Sequence, residues 1–213
     1  MTRDEQLAEA AKCYRSAAYF ITHYCHIYDA TLGDWIPFAL WPEQRRTLDV
    51  VINNLLVVIL KARQLGLTWL VLAYALWLVL FRPAATVLLF SRRDDEAMYL
   101  LGDERLGGMA RRLPEWMRPR ATEDSRHVWA LANGSVVRAF PTGVGDSYTA
   151  TLAIVDEADL VPDLGRLMRA VKPTIDGGGR MILLSRANKS APESEFKRIY
   201  RAARMSDGKR ILV

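Results

Sequence analysis

Lys61, Arg63 and Thr68 fall in one short segment, Lys61-Ala62-Arg63-Gln64-Leu65-Gly66-Leu67-Thr68. An apolar run, Val57-Val58-Ile59-Leu60, precedes it, and a long apolar stretch begins at Leu67. Strand, basic loop and helix in that order can cradle phosphate. A glycine lets backbone N–H groups approach the oxygens, and the helix N-terminus adds its dipole. The usual pattern is G-x-x-x-x-G-K-[ST]. Here Lys61 stands at the first glycine, Gly66 at the second, Leu67 at the lysine and Thr68 at the hydroxyl. Leu67 cannot neutralise phosphate charge. Lys61 can, if its side chain folds back over the ligand, and Arg63 is a second cation in the loop. The Thr68 hydroxyl is placed to ligate magnesium.

Leu152-Ala153-Ile154-Val155 is a short, continuous apolar run of the buried-strand kind, and it ends on Asp156-Glu157. An acid at the end of a parallel strand sits at the carboxyl edge of the sheet, where ligands bind. Asp156 is expected to hold the hydration shell of Mg2+, and Glu157 to polarise an attacking water. Each motif has a plain structural reading: a basic turn between apolar elements, or two solvated acids capping a strand. Together they point to ATP hydrolysis with Mg2+ as cofactor.

On these residues the chain resembles the large terminase subunits of tailed bacteriophages. The segment from Lys61 to Thr68 looks like the family's deviant phosphate loop, with its lysine shifted to the front. Pro42-Glu43-Gln44 looks like the adenine-recognition segment, in which Gln44 would read the base edge. Asn133-Gly134-Ser135 and then Val155-Asp156-Glu157-Ala158 follow in the family's order. Leu184-Ser185-Arg186-Ala187-Asn188 looks like the coupling motif, with Ser185 to Asn188 sensing the γ-phosphate, and Phe196 to Tyr200 looks like the helix after it.

The resemblance implies an α/β fold: a P-loop NTPase of the additional-strand type, with a mainly parallel central sheet flanked by helices and an N-terminal helical lid segment. It also implies that the acid-pair and coupling strands flank the phosphate-loop strand. The implied activity is ATP-driven translocation of double-stranded DNA into a procapsid, in the host cytoplasm and away from any membrane. The implied partners are the portal protein, a small terminase subunit and further copies of the chain in a ring. Members usually carry a nuclease domain after the ATPase domain. They often carry Arg-Gly shortly before the metal-binding acid, an arginine that can act in trans. Here those positions read Asp146-Ser147. Arg138 is the nearby candidate for that catalytic role, or else a solvated strand position. Two rival readings share the core: a helicase-like DNA translocase, and a nucleotide-binding scaffold with negligible turnover. Leu67 in place of lysine favours the scaffold slightly; Glu157 argues against it.

With 51% hydrophobic and 25% charged residues, the composition is that of a soluble globular chain. Its 213 residues suffice for one good core or two small ones. The net charge of +5 favours a polyanionic partner. Arg111, Arg112, Arg118 and Arg120 cluster around Trp116. That stretch reads either as a contact to DNA phosphates or as a solvated lid or subunit interface. Cys13 and Cys25 provide no disulfide framework, which suits a reducing cytoplasm. His23 and His26 lie near Cys25, but the spacing fits no standard zinc site, and a helical face is the expected reading. The apolar run from Leu65 to Phe81 approaches membrane-span length, yet it begins inside the phosphate loop. A helix buried between sheet and neighbouring helices reads the same way. The N-terminus, with Asp4, Glu5 and Glu9, reads as no signal peptide.

Residues 3–28 read as helix, with Tyr14, Ala17, Ala18, Ile21 and Tyr24 at helical spacing. Asp34 to Pro42 reads as a connector whose Phe38 either packs in the core or stacks near adenine. A helix is expected from Pro42 or Glu43 to Leu56. Strands are expected at 57–60, 86–91, 135–140, 151–155 and 180–185, with helices at 67–80, 94–101, 103–113 and about 163–171. That alternation means a parallel sheet. The organisation reads as a lid and adenine-side segment (1–42), an ATPase core (43–205) and the start of a linker (206–213). Asp207-Gly208 is a turn signal and Lys209 to Val213 starts a strand, so a further domain is expected beyond it, by resemblance a nuclease.

Overall fold

The computed structural model describes residues 1–142 and 149–205. Asp146, Ser147 and the expected strand from Lys209 lie outside the described residues. Helix α1 (Arg3–Arg15) opens on a capping box, in which Thr2 accepts from the Glu5 N–H and Glu5 accepts from the Thr2 N–H. The single helix expected over 3–28 breaks at Ser16. Its backbone is extended (φ −142°), and its hydroxyl caps a second helix, α2 (Ala17–Tyr24), by accepting from Tyr19 N. Strands β1 (His26–Asp29) and β2 (Asp34–Pro37) then form an antiparallel hairpin where a helix end and a connector were expected. Helix α3 (Pro42–Asn53) stops short of Leu56, which already belongs to β3 (Leu56–Leu60).

Helix α4 (Leu67–Phe81) has no polar face. Every residue from Trp69 to Val79 is buried, because the sheet covers one side and the N-terminal helices the other. The Trp77 indole donates to Cys13 O at 2.7 Å and fixes α1 on α4. Among the described residues no helix is long and apolar enough to cross a membrane. Next come β4 (Thr86–Ser91), α5 (Asp94–Leu101) and α6 (Leu106–Arg111). The helix expected over 103–113 is thus shorter at both ends. A hairpin not foreseen follows, β5 (Ala121–Asp124) and β6 (Val128–Leu131), and then β7 (Val136–Pro141). Strand β8 (Leu152–Asp156), helix α7 (Leu164–Asp176), strand β9 (Arg180–Ser185) and helix α8 (Glu195–Met205) complete the described chain.

The main sheet has the order β3-β9-β8-β4-β7-β6-β5. The first five strands run parallel, and β6 and β5 are antiparallel additions. The acid-pair strand does not flank the phosphate-loop strand: β9 lies between β3 and β8. Its register aligns Ser185 with Leu60 and Leu184 with Asp156, so one strand end stands between loop and acids. Residues of α1, α2 and the stretch up to Phe38 share one hydrophobic cluster with α4 and the α4-facing side of the sheet. A second cluster, under α7 and α8, fills the other face. Phe38 is 1% exposed and belongs to the core, which leaves it no face for a base.

Candidate active site

The carboxyl ends of β3, β9 and β8 meet in one patch, and each contributes from its last residue or the one after. The loop after β3 leaves through Lys61, whose N–H donates to Ser185 O at 2.9 Å. Ala62 to Leu65 are exposed, and Gln64 (φ 64°) and Gly66 (φ 68°) adopt left-handed backbone. Gly66 is the N-cap of α4. A Cβ there would lie 2.7 Å from Gln44 Nε2, so the position admits glycine for space as well as conformation. The α4 N-terminus therefore presents its free N–H groups to the open loop. Leu67 is 7% exposed and packs inward, which explains why no cation stands there.

The Lys61 side chain turns toward the two acids. Its Nζ lies 3.7 Å from Asp156 Oδ1 and 3.5 Å from Glu157 Oε1. The Thr68 hydroxyl lies 3.3 Å from Asp156 Oδ1. These two hard oxygen donors fit Mg2+, which commonly takes one or two protein oxygens and fills its other positions with phosphate and water. Burial pushes the Asp156 carboxyl up from the usual carboxylate range, and the Lys61 charge opposes this. Glu157 adopts φ 51°, a conformation uncommon for a glutamate and concentrated at functional sites. Its Oε2 lies 3.3 Å from Ser185 Oγ, whose hydroxyl also reaches Arg186 O at 2.8 Å, and 3.6 Å from Arg186 Nε. The structure thus brings together Lys61, Thr68, Asp156, Glu157, Ser185 and Arg186. Arg63 stays exposed on the loop.

Gln44 is 4% exposed and points at the loop from the first turn of α3. Its Nε2 donates to Leu65 O at 2.9 Å and its Oε1 accepts from Trp41 N at 3.0 Å. Arg138 is not brought to the acids. It sits in mid-strand on β7, level with Leu88 of β4, which is level with Ala153 of β8. That is three residues, about 10 Å, short of Asp156. Arg111 pairs with Asp103, Arg112 donates to Gly108 O, and Arg118 donates to Leu113 O.

Sequence reasoning overlooked Asp159. It lies in the 3-10 turn (Ala158–Leu160) after the acid pair, and its side chain is fully buried. Its carboxylate accepts from Asn188 N at 2.6 Å and from Ser194 Oγ, and it faces Lys197 Nζ at 3.3 Å. Lys197 in turn donates to Asn188 O and Ala191 O. The segment holding Glu157 is thereby fastened to the coupling segment and to α8. The only signal in the sequence was a third acid at the end of the Leu152 to Asp159 run. Asp159→Asn or Lys197→Met alone should destabilise the fold by about 3–5 kcal/mol, since each strands a buried charge. The Asp159→Asn/Lys197→Met double variant should recover much of that in urea unfolding. Losses that simply add would mean the two groups do not act as a pair.

A loop-cradled helix N-terminus beside an acid-tipped strand, with a further strand inserted between, defines the additional-strand P-loop NTPase fold. It is the fold of phage large terminase ATPase domains. The chain is similar to the large terminase ATPase domain of Thermus phage P74-26, at 17% identity and TM-score 0.62, over 76% of this chain and 70% of that one. It is similar to the bacteriophage HK97 large terminase at 15% identity and TM-score 0.70, over 93% of this chain and 43% of that one. It is similar to the large terminase of a thermophilic bacteriophage at 14% identity and TM-score 0.63, over 82% of this chain and 45% of that one. Another crystal form of that last protein is a complex with ADP. The chain thus spans less than half the length of the two whole terminases. No protein-family model and no curated protein matches it.

Proposed function

We propose that this chain is a Mg2+-dependent ATPase, the ATPase domain of a large terminase that drives double-stranded DNA into a viral procapsid. The observation that supports it most is the convergence of Lys61, Thr68, Asp156 and Glu157 within 3.7 Å contacts at the carboxyl edge of the sheet. On this reading Lys61 and Arg63 neutralise the phosphates, and the amides from Ala62 to Leu67 cradle them. Gln44 keeps the loop in shape through Leu65 and offers its remaining N–H to adenine. Thr68 and Asp156 hold Mg2+, which draws charge off the phosphate oxygens. Glu157 accepts a proton from the attacking water. Ser185, Arg186, Ala187 and Asn188 form the segment that senses loss of the γ-phosphate. Arg138 remains a candidate for action on a neighbouring copy. The proposed setting is a ring on the portal protein, with a small terminase subunit and a downstream nuclease domain, in the host cytoplasm.

The test combines turnover with one variant. The wild-type chain should hydrolyse ATP only with Mg2+ and should not separate the strands of a forked duplex. Asp156 titrates in the folded state above its unfolded value, so its ionised form penalises the free protein at neutral pH. The penalty is absent below the unfolded pKa and grows as pH rises through the folded one. Asp156→Asn should therefore melt higher at pH 7, by about 2–4 °C for each kcal/mol relieved. It should at the same time lose Mg2+-dependent ATP binding. A lower melting temperature with binding intact would remove Asp156 from the metal site, and strand separation by the wild type would favour a helicase.

A further inference from the structure

Arg105, just before α6, is absent from every role above. Its guanidinium lies 4.3 Å from the Trp69 ring centroid and 4.8 Å from that of Tyr99. Trp69 is in the first turn of α4, one residue after Thr68. Of the two rings, Tyr99 is exposed and Trp69 is buried. Trp69 is 8% exposed and meets Trp35 edge-on at 5.5 Å. Trp35 in turn packs over Gly108, where a Cβ would lie 2.4 Å from its ring. The tryptophan beside the phosphate loop is therefore held by a stack that runs from the β1–β2 hairpin to α6.

What the guanidinium lacks is an acceptor. Among the described residues the Arg105 side chain makes no hydrogen bond and no ion pair. Arg112, stacked 3.7 Å from Trp35, donates to Gly108 O. Arg82 is also held by rings, those of Tyr14 and Trp77, but it caps the far end of α4, away from loop and acids. Stacking alone is thus a structural device in this chain, and what sets Arg105 apart is its ring partner, Trp69, the residue after Thr68. Burial lowers its pKa from the usual arginine range, against the opposing pull of Tyr99, Asp156 and Glu104. A half-buried cation with five N–H donors and no acceptor is costly unless an anion completes it. The planar fork fits phosphate oxygens two at a time.

We propose that Arg105 is a phosphate ligand, whose open edge takes the terminal phosphate of a nucleoside triphosphate held on the Lys61–Thr68 loop of the same chain. The proposal rests on the nucleotide-site reading above. It supplies in cis a cation that the loop lacks at Leu67. It also makes Trp69 and Tyr99 positioning residues, since they aim the guanidinium without touching the ligand.

The experiment measures binding of a non-hydrolysable ATP analogue and of ADP, each with Mg2+, by titration calorimetry on the full chain. Arg105→Met and Arg105→Gln are both made, so that a folding failure in one leaves the other, and melting without ligand checks each. Lys61→Ala serves as the control for the loop. Removing a charge-assisted contact should weaken the analogue about tenfold or more. ADP, which lacks the terminal phosphate, should change by less than about twofold, within the spread of a surface substitution. Lys61→Ala should weaken both ligands. If Lys61→Ala does so while the neutral Arg105 variants shift both ligands equally or not at all, the Arg105 assignment falls and the loop reading stands. A wild-type chain that binds neither ligand removes both.

Discussion

Glu157→Gln is expected to leave ATP bound and to stop its hydrolysis. A positioned general base contributes about 10²–10⁴ in rate, and glutamine cannot take the proton. The substitution is nearly isosteric. Glutamine can still reach Ser185 Oγ, which lies 3.3 Å from Glu157 Oε2, so the segment should keep its course. It cannot pair with Lys61 or Arg186, which now sit 3.5 and 3.6 Å from the carboxylate. Lys61 would then be freer to meet a phosphate, and nucleotide affinity should hold or rise slightly. Single-turnover and equilibrium binding measurements separate the two effects. Wild-type turnover in the variant would take the water-activating role from Glu157.

Lys61→Ala and Leu67→Ala should fail in opposite ways. Lys61 stands at the front of the loop, and on the proposed reading losing such a clamp on a transferring phosphoryl group lowers the rate by about 10²–10³. Its side chain is 12% exposed and faces two acids, so the free protein also loses two ion pairs. Leu67 is 7% exposed, and Leu→Ala at a buried position destabilises by about 2–5 kcal/mol. The Leu67 variant should therefore unfold at lower urea yet retain activity per folded molecule. Denaturant melts paired with ATP turnover on the same samples decide the matter. A larger rate loss at Leu67 than at Lys61 would overturn the shifted-lysine reading.

Much of this site could be read from the chain because its parts are local. The runs 57–60, 87–90, 152–155 and 181–184 are continuous and apolar, as strands buried on both faces must be, and each lies in a strand. Lys61, Thr68, Asp156 and Glu157 stand at the ends of such elements, so their convergence needed only the parallel sheet. Other features carried no local signal. All four residues of β5 are exposed, and without apolar alternation nothing marks them as strand. His26-Ile27-Tyr28 continues the aromatic spacing of α2, so the switch to β1 was hidden. Strand order depends on pairings far apart in sequence, and the insertion of β9 between β3 and β8 could not be read from composition. Asp159 and Arg105 were missed for the same reason. One is defined by partners on α8 and its preceding loop, the other by rings on α4 and α5.

The burial of α4 on all sides from Trp69 to Val79 limits how the molecule can move. A helix with one greasy stripe can roll or slide in its seat, trading one set of contacts for a similar one. A helix gripped on all sides cannot, because every displacement opens a void somewhere. It is the axle of the molecule. On the proposed reading, a stroke that follows hydrolysis would be made by what is fastened around it: the segment after β9, the turn bearing Asp159, and α8 beyond them.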